Sequence, residues 1–305
     1  MLDAHKDQEA FTTEIRRWRV FKGLSDQKQR ELATLYYHAP LLYGEVWQRL
    51  IDSSQETELT FLGAGDGKVE LLLTKGIIAN RRDGGNLRIN CEDVSGPLKT
   101  TFFKNAKKWE LGRLINDYQL IRLEDPGFII PDSDLIIASH MLYYVSGWRG
   151  NDPIKEGVEN PLIKINRAIK ARKGVAIIVM QTQTSEIFSL REKYNGSNKE
   201  EFSAEDVVGE LKRWTMPYRV FTTDATLDVS CLFQEGNFNP TEEGRDLLSF
   251  IFRTSWESLS SEKCQAIKQH LEEILSRHSG EALVRGRFTP YWLRQVDGYV
   301  SMFSG

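Results

Sequence analysis

The sequence is poor in cysteine and histidine. Its three cysteines, Cys91, Cys231 and Cys264, are an odd, widely spaced set with no Cys-x-x-Cys pair. That pattern excludes a disulfide framework and a structural zinc site, and the three read as buried apolar fillers. No charge of one sign dominates, since 40 basic and 43 acidic side chains leave a formal net charge of −3. So weak a field draws in no polyanion, and nucleic acid is not an expected partner. There is no uncharged apolar run of about 18 residues, and Met1 to Glu9 is polar with no apolar signal core behind it. The expectation is a cytoplasmic chain that does not engage a membrane. Internal repeats and low-complexity linkers are absent as well.

What is present is the mixture of a globular protein: 305 residues, 40% hydrophobic and 27% charged, enough for one large domain carrying an insertion. Phe11, Ile15 and Trp18 recur at helical spacing, as do Leu32, Leu35 and Tyr36 after a Ser25 cap, and Pro40 opens a third helix through Val46 and Leu50. At Thr57 the pattern changes. Strand-like runs at Leu59–Leu62, Leu87–Cys91, Tyr118–Leu123, Asp134–Ser139 and Val175–Gln181 alternate with helix-like stretches at Lys68–Thr74, Leu98–Trp109 and Leu162–Lys170. This alternation predicts an α/β fold with a mostly parallel sheet and right-handed crossovers. The doubly apolar runs before Ser139 and after Gly174 suit its central strands.

Beyond Gln181 the alternation lapses. Polar loops at Asn195–Glu200 and Glu235–Glu243 separate amphipathic stretches at Val207–Trp214 and Leu247–Leu259. A last helix, Glu262–His278, carries Cys264, Ile267, Leu271 and Ile274 on one face, with Gly280 beyond its end, and Tyr299–Phe303 reads as a closing strand. The predicted organisation is a helical cap at 1–55, a Rossmann-like core at 56–182, a substrate-side insertion at 183–260 and a final helix and strand at 261–305.

The most informative segment is Leu59-Thr60-Phe61-Leu62-Gly63-Ala64-Gly65-Asp66-Gly67-Lys68, a strand entering a Gly-x-Gly-x-Gly turn ahead of a helix. Glycine permits positive φ and lets a ligand lie on bare backbone. A dinucleotide site carries Gly-x-Gly-x-x-Gly aimed at a pyrophosphate, and here the third glycine comes one residue early. The spacing more resembles the turn that passes under the methionine moiety of S-adenosyl-L-methionine; a turn serving chain geometry alone is the bland alternative. The second strand ends Cys91-Glu92-Asp93, where an acid can accept from both ribose hydroxyls; Glu92 is the first choice and Asp93 the second. Glu124 or Asp125, after the third strand, is placed to reach an adenine amino group.

On these stretches, together with Ser139-His140-Met141-Leu142-Tyr143-Tyr144-Val145, Leu227-Asp228-Val229-Ser230-Cys231-Leu232-Phe233-Gln234-Glu235-Gly236-Asn237 and Asp246-Leu247-Leu248-Ser249-Phe250, the chain resembles class I S-adenosylmethionine-dependent methyltransferases. More narrowly, it is similar to the histamine N-methyltransferase family. The resemblance runs from about residue 11 to the end and implies a seven-stranded Rossmann-like sheet with an insertion after the fifth strand. It implies a cofactor lined by Gly63, Ala64, Gly65, Gly67, Glu92, Ser139 and His140, with His140 where the family has a glutamine, and a monomer or weak homodimer. The family's amine contacts fall in register at Asp26 or Gln27 and at Asp297. Tyr143 and Tyr144, with Trp148 close by, offer an aromatic wall to a flat or cationic substrate, and Phe11, Trp18 and Tyr37 a lid. At least one of the two tyrosines reads more readily as simple core, and the helical spacing of Phe11, Trp18 and Tyr37 is equally explained by packing.

The resemblance implies transfer of a methyl group to a small molecule, most plainly to an amine nitrogen. His140, helped by Asp297, is the candidate base; its bland alternative is a pocket wall. Transfer to oxygen or carbon stays open. A nucleic-acid or protein methyltransferase is disfavoured by charge and by the lack of an Asn/Asp-Pro-Pro-Tyr/Phe turn after the fourth strand. A nicotinamide-dependent oxidoreductase or an inactive binding module on the same fold completes the alternatives.

Overall fold

The computed structural model describes residues 15–52, 56–81, 86–148, 159–194, 202–284 and 291–304. Phe11 and the polar loop at 195–200 lie outside them. In chain order the elements are α1 (15–24), α2 (Gln27–Tyr37), α3 (Ala39–Tyr43), α4 (Val46–Ile51), β1 (Thr57–Leu62), α5 (Lys68–Ala79), β2 (Leu87–Asp93), α6 (Gly96–Lys108), β3 (Ile115–Leu120), β4 (Leu135–Ser139), α7 (Pro161–Lys170) and β5 (Val175–Gln181). There follow α8 (Glu186–Tyr194), α9 (Ala204–Arg213), β6 (Tyr218–Asp228), β7 (Phe233–Gln234), β8 (Asn237–Phe238), α10 (Glu242–Ile251), α11 (Ser261–Val284) and β9 (Trp292–Phe303).

Seven strands form one sheet in the order β3-β2-β1-β4-β5-β9-β6. The pairs among β1 to β5 are parallel, and β9 runs antiparallel to β5, with Gln181 opposite Asp297. Side chains alternate across a strand, so each central strand feeds two cores. Val175, Ile177 and Val179 of β5 join one apolar cluster with Leu59, Phe61 and Tyr299, while Ala176, Ile178 and Met180 join another with Leu62, Ile136 and Leu162. The apolar runs read from the sequence are thus buried on both faces. Helix starts follow their caps: Ser95 accepts from the Leu98 amide at α6, Asn160 from Leu162 at α7, and Ser203 with Asp206 forms a capping box at α9.

Several boundaries differ from the sequence reading. The helix expected from Pro40 through Leu50 breaks at Gly44, whose φ of 56° no helix accommodates. The third strand is Ile115–Leu120 instead of Tyr118–Leu123, and it is the sheet's edge, where only Tyr118 is fully buried. Strand β6, absent from the sequence reading, lies at the opposite edge and is mostly solvent-facing, so its sequence carries no apolar run. The polar loop at Glu235–Glu243 contains half of the β7–β8 hairpin, turned by Glu235 and Gly236 at φ 50° and 81°. Helix α11 runs past Gly280 to Val284, and β9 begins at Trp292, seven positions before Tyr299.

The chain clusters into two compact units. One comprises 31–182, 202–223 and 297–305 and holds β1 to β5; the other comprises 1–30, 183–201 and 224–296. The second has its own core of Phe21, Ile187, Leu190, Leu247, Ile251, Leu271 and their neighbours.

Candidate active site

The strand order reverses between β1 and β4: the chain leaves β1 toward β2 and β3, and leaves β4 toward β5. In open parallel sheets the crevice at the carboxyl ends of such a pair is where ligands bind. Leu62-Gly63, Glu92-Asp93 and Ser139-His140 all end or follow strands at that edge.

Gly63, Gly65 and Gly67 all hold positive φ, at 62°, 55° and 69°. Their reasons differ. A β-carbon on Gly63 would stand 2.6 Å from Met141 Cβ, and one on Gly67 would stand 2.4 Å from Phe102 Cδ2, so both are fixed by packing. On Gly65 the nearest atom would be 3.8 Å away, the carbonyl oxygen of Gly63. Gly65 therefore presents bare backbone to open space, the condition for close approach of a ligand. Ala64 is buried, and its amide donates to the Glu92 carbonyl at 2.9 Å.

The acids at the end of β2 hold the loop from beneath. Gly63 N donates to Glu92 Oε2 at 3.1 Å, and Gly65 N donates to Asp93 Oδ2 at 2.8 Å. The other Asp93 oxygen takes the Ser95 amide at 2.7 Å, which commits that carboxylate to backbone. Glu92 is 2% exposed. Burial pushes its carboxyl up to about 7, against the lowering effect of the Gly63 amide, and the charges of Asp93 and Glu124 raise it further. Among the described residues the Gly63 amide is the hydrogen-bond donor seen on this buried carboxyl, which suits a ligand that brings hydroxyl groups.

Glu124 and Asp125 separate in the structure. Asp125 is exposed, and its Oδ1 accepts from the Gly127 amide at 2.8 Å, closing a local turn. Glu124, with a side chain 19% exposed, lies 3.8 Å from the Arg122 guanidinium and close enough to Glu92 to raise it. Sequence reasoning missed Lys164 of α7. It is buried, and its Nζ donates to the carbonyls of Leu123 (3.1 Å), Asp125 (2.7 Å) and Phe128 (3.2 Å). The available signal was its phase, since Lys164 shares a helix face with the buried Pro161 and Ala168.

Past β4, Ser139 is buried and His140 adopts a left-handed backbone, φ 53°, with its amide donating to Val179 O at 2.8 Å. That conformation is uncommon outside glycine and turns the imidazole away from the strand line. His140 Nδ1 lies 3.4 Å from the Tyr143 hydroxyl, and Nε2 lies 3.8 Å from Oδ2 of the fully buried Asp297. The Tyr143 hydroxyl accepts from the Gln181 amide at 2.5 Å, tying the ring to β5, and the two rings are near-parallel at 6.1 Å. Tyr144 is 69% exposed, and Trp148 is core, its Nε1 donating to Leu142 O. Tyr37 is exposed.

Trp18, Asp26 and Gln27 belong to the second compact unit. There Lys22 Nζ sits 4.5 Å over the Trp18 ring, Asp26 accepts from the Thr226 amide and pairs with Arg30, and Gln27 is buried. Among the described residues no cluster of His, Cys, Asp and Glu is arranged to hold a metal, and no helix is long and apolar enough to cross a membrane.

No protein-family model and no curated protein matches the sequence. Among solved structures the chain is similar to the YcgJ protein of Bacillus subtilis, with TM-score 0.51 and 13% identity over 88% of this chain and 98% of that one. A candidate methyltransferase from Bacillus halodurans C-125 aligns with TM-score 0.48 and 12% identity over 85% and 98% of the two chains. A candidate sarcosine dimethylglycine methyltransferase from Galdieria sulphuraria aligns with TM-score 0.45 and 14% identity over 90% and 85%. The likeness to YcgJ and the strand order agree on a Rossmann-like α/β fold with a seven-stranded, mostly parallel sheet.

Proposed function

We propose that the protein is an S-adenosylmethionine-dependent methyltransferase acting on a small molecule, most plainly on an amine nitrogen. The observation that carries the reading is the pairing of the Gly63–Gly67 loop with Glu92 and Asp93 at the switch point of the sheet. The residues fit the cofactor. Gly65 leaves its outward side open, and Glu92 is a buried acceptor raised by desolvation, suited to a ribose diol. Glu92 would hold the ribose, Gly63 to Gly67 the amino-acid portion and Glu124 the adenine. When bound, S-adenosylmethionine supplies an electrophilic methyl group and a neutral thioether leaving group.

The chain's own residues then have two tasks. The first is to position the acceptor, which supplies much of the rate of such a displacement. The second is to take a proton, because an amine arriving as ammonium has no lone pair to share. His140 Nε2, beside the Asp297 carboxylate, is the group for that proton, and Tyr143 fixes the ring from its Nδ1 side. The histamine N-methyltransferase-like reading rests on the sequence stretches alone. It favours nitrogen over oxygen or carbon, and a monomer or weak homodimer.

Calorimetry with S-adenosylmethionine, S-adenosylhomocysteine and NAD tests the proposal. Binding of the first two and not the third is expected, with a thermal shift to match; saturation at a hundredfold the Kd stabilises a protein by about 2.7 kcal/mol. Binding of NAD alone would move the reading to an oxidoreductase.

A further inference from the structure

Between β3 and β4 the chain turns at residues 121–128. It leaves the sheet beside Asp93, whose carbonyl accepts from the Ile121 amide at 3.2 Å, and closes on itself through Asp125 N to Arg122 O and Phe128 N to Asp125 O. None of these bonds fixes the direction in which the turn faces. Leu123 and Phe128 anchor the turn in the core, and Lys164 clasps it between them, because its ammonium reaches from α7 to three carbonyls of the turn, at Leu123, Asp125 and Phe128. A buried lysine is costly unless all its donors are met, and three carbonyls meet all three. Glu124 stands between the first two of those carbonyls.

We propose that Lys164 is a positioning residue for nucleobase selectivity: by clasping the 123–128 turn it presents the Glu124 carboxylate toward the site held by Glu92. The inference rests on the cofactor reading above and adds to it what orients the base-reading acid. The carboxylate of Glu124 accepts and does not donate, so it favours a base bearing an exocyclic amino group over one bearing a carbonyl. Supporting this placement, the charge of Glu124 adds to the burial that raises Glu92, and together with Asp125 it works against the burial that lowers Lys164.

The test is calorimetry on the full chain with S-adenosylhomocysteine and with S-inosylhomocysteine, in which a carbonyl replaces the amino group. Wild type is expected to prefer the adenine ligand at least tenfold, and Lys164→Met to lose most of that preference with its circular dichroism retained. Where Lys164→Met does not fold, Lys164→Arg decides by the same ratio, since a planar guanidinium cannot follow three diverging carbonyls. A general loss of packing would weaken both ligands equally and leave the ratio intact, and an intact ratio in a folded variant overturns the proposal. Equal affinities in wild type would overturn it too, while leaving the cofactor reading standing. Binding of neither ligand by wild type would remove both.

Discussion

A β-carbon placed on Gly67 would come within 2.4 Å of the Phe102 ring, whereas one placed on Gly65, two residues earlier, would meet no atom closer than 3.8 Å. The two glycines share a left-handed backbone and differ in what lies beside them. Gly67→Ala carries the backbone strain and a clash, and should destabilise by roughly 2–4 kcal/mol. Gly65→Ala carries only the strain, about 1–2 kcal/mol, but puts a methyl where the ligand would lie. Denaturant melts should rank Gly67→Ala as the less stable, and calorimetry should rank Gly65→Ala as the weaker binder of S-adenosylhomocysteine. The reverse order in binding would place the ligand elsewhere.

Glu92 links the site to pH. Its carboxyl is raised by burial from 4.5 to about 7, so between those values the folded protein holds a proton that the unfolded chain has released. Stability from this group is complete below about pH 4.5 and is lost as pH rises through 7, by an amount on the order of 3 kcal/mol. Glu92→Gln should lack that slope, so the difference in Tm between wild type and variant should change sharply across pH 5–7. Ligand hydroxyls favour the ionised form, so S-adenosylhomocysteine should bind more tightly above pH 7 than at 6 and release a proton at 6. Calorimetry in buffers of different ionisation heat measures that proton directly, and zero release would show that Glu92 does not accept from the ligand.

His140 separates strain from chemistry. At φ 53° an asparagine is more comfortable than a histidine. His140→Asn should therefore melt at or slightly above the wild-type temperature and bind S-adenosylhomocysteine with unchanged affinity. If His140 takes the acceptor's proton, kcat should fall by about 10²-fold or more and the acidic limb of the pH–rate profile should vanish. A wall residue would instead alter KM for the acceptor and leave the profile's shape alone.

The parts of this molecule that were legible in the sequence are those whose signal is local. The β5 boundaries match Val175–Gln181 because every residue there is buried, and the glycine loop and Glu92 were readable because strand, turn and acid occur in fixed order. The edge strands β3 and β6 were misplaced or missed because an edge buries little and its residues need not be apolar. Lys164 was invisible for a different reason: a lysine on a helix ordinarily reads as solvated, and only the fold brings three carbonyls to it. The left-handed turn at His140 and the different surroundings of Glu124 and Asp125 likewise depend on more than the local sequence pattern.

Tyr143 offers the sharpest separation of scaffold from catalysis. Its hydroxyl accepts from the Gln181 amide at the end of β5, opposite Asp297, and also stands 3.4 Å from His140 Nδ1. Tyr143→Phe keeps the ring and leaves a partly buried amide without its acceptor, a loss of about 1–3 kcal/mol. The same change releases the imidazole, so kcat should fall alongside stability while affinity for S-adenosylhomocysteine holds. The exposed neighbour serves as control, because Tyr144→Phe removes a hydroxyl from a side chain in water and should cost under about 0.5 kcal/mol. A kcat unchanged in Tyr143→Phe would mean that His140 needs no orienting hydroxyl, and the orientation of its ring would then rest on Asp297 alone.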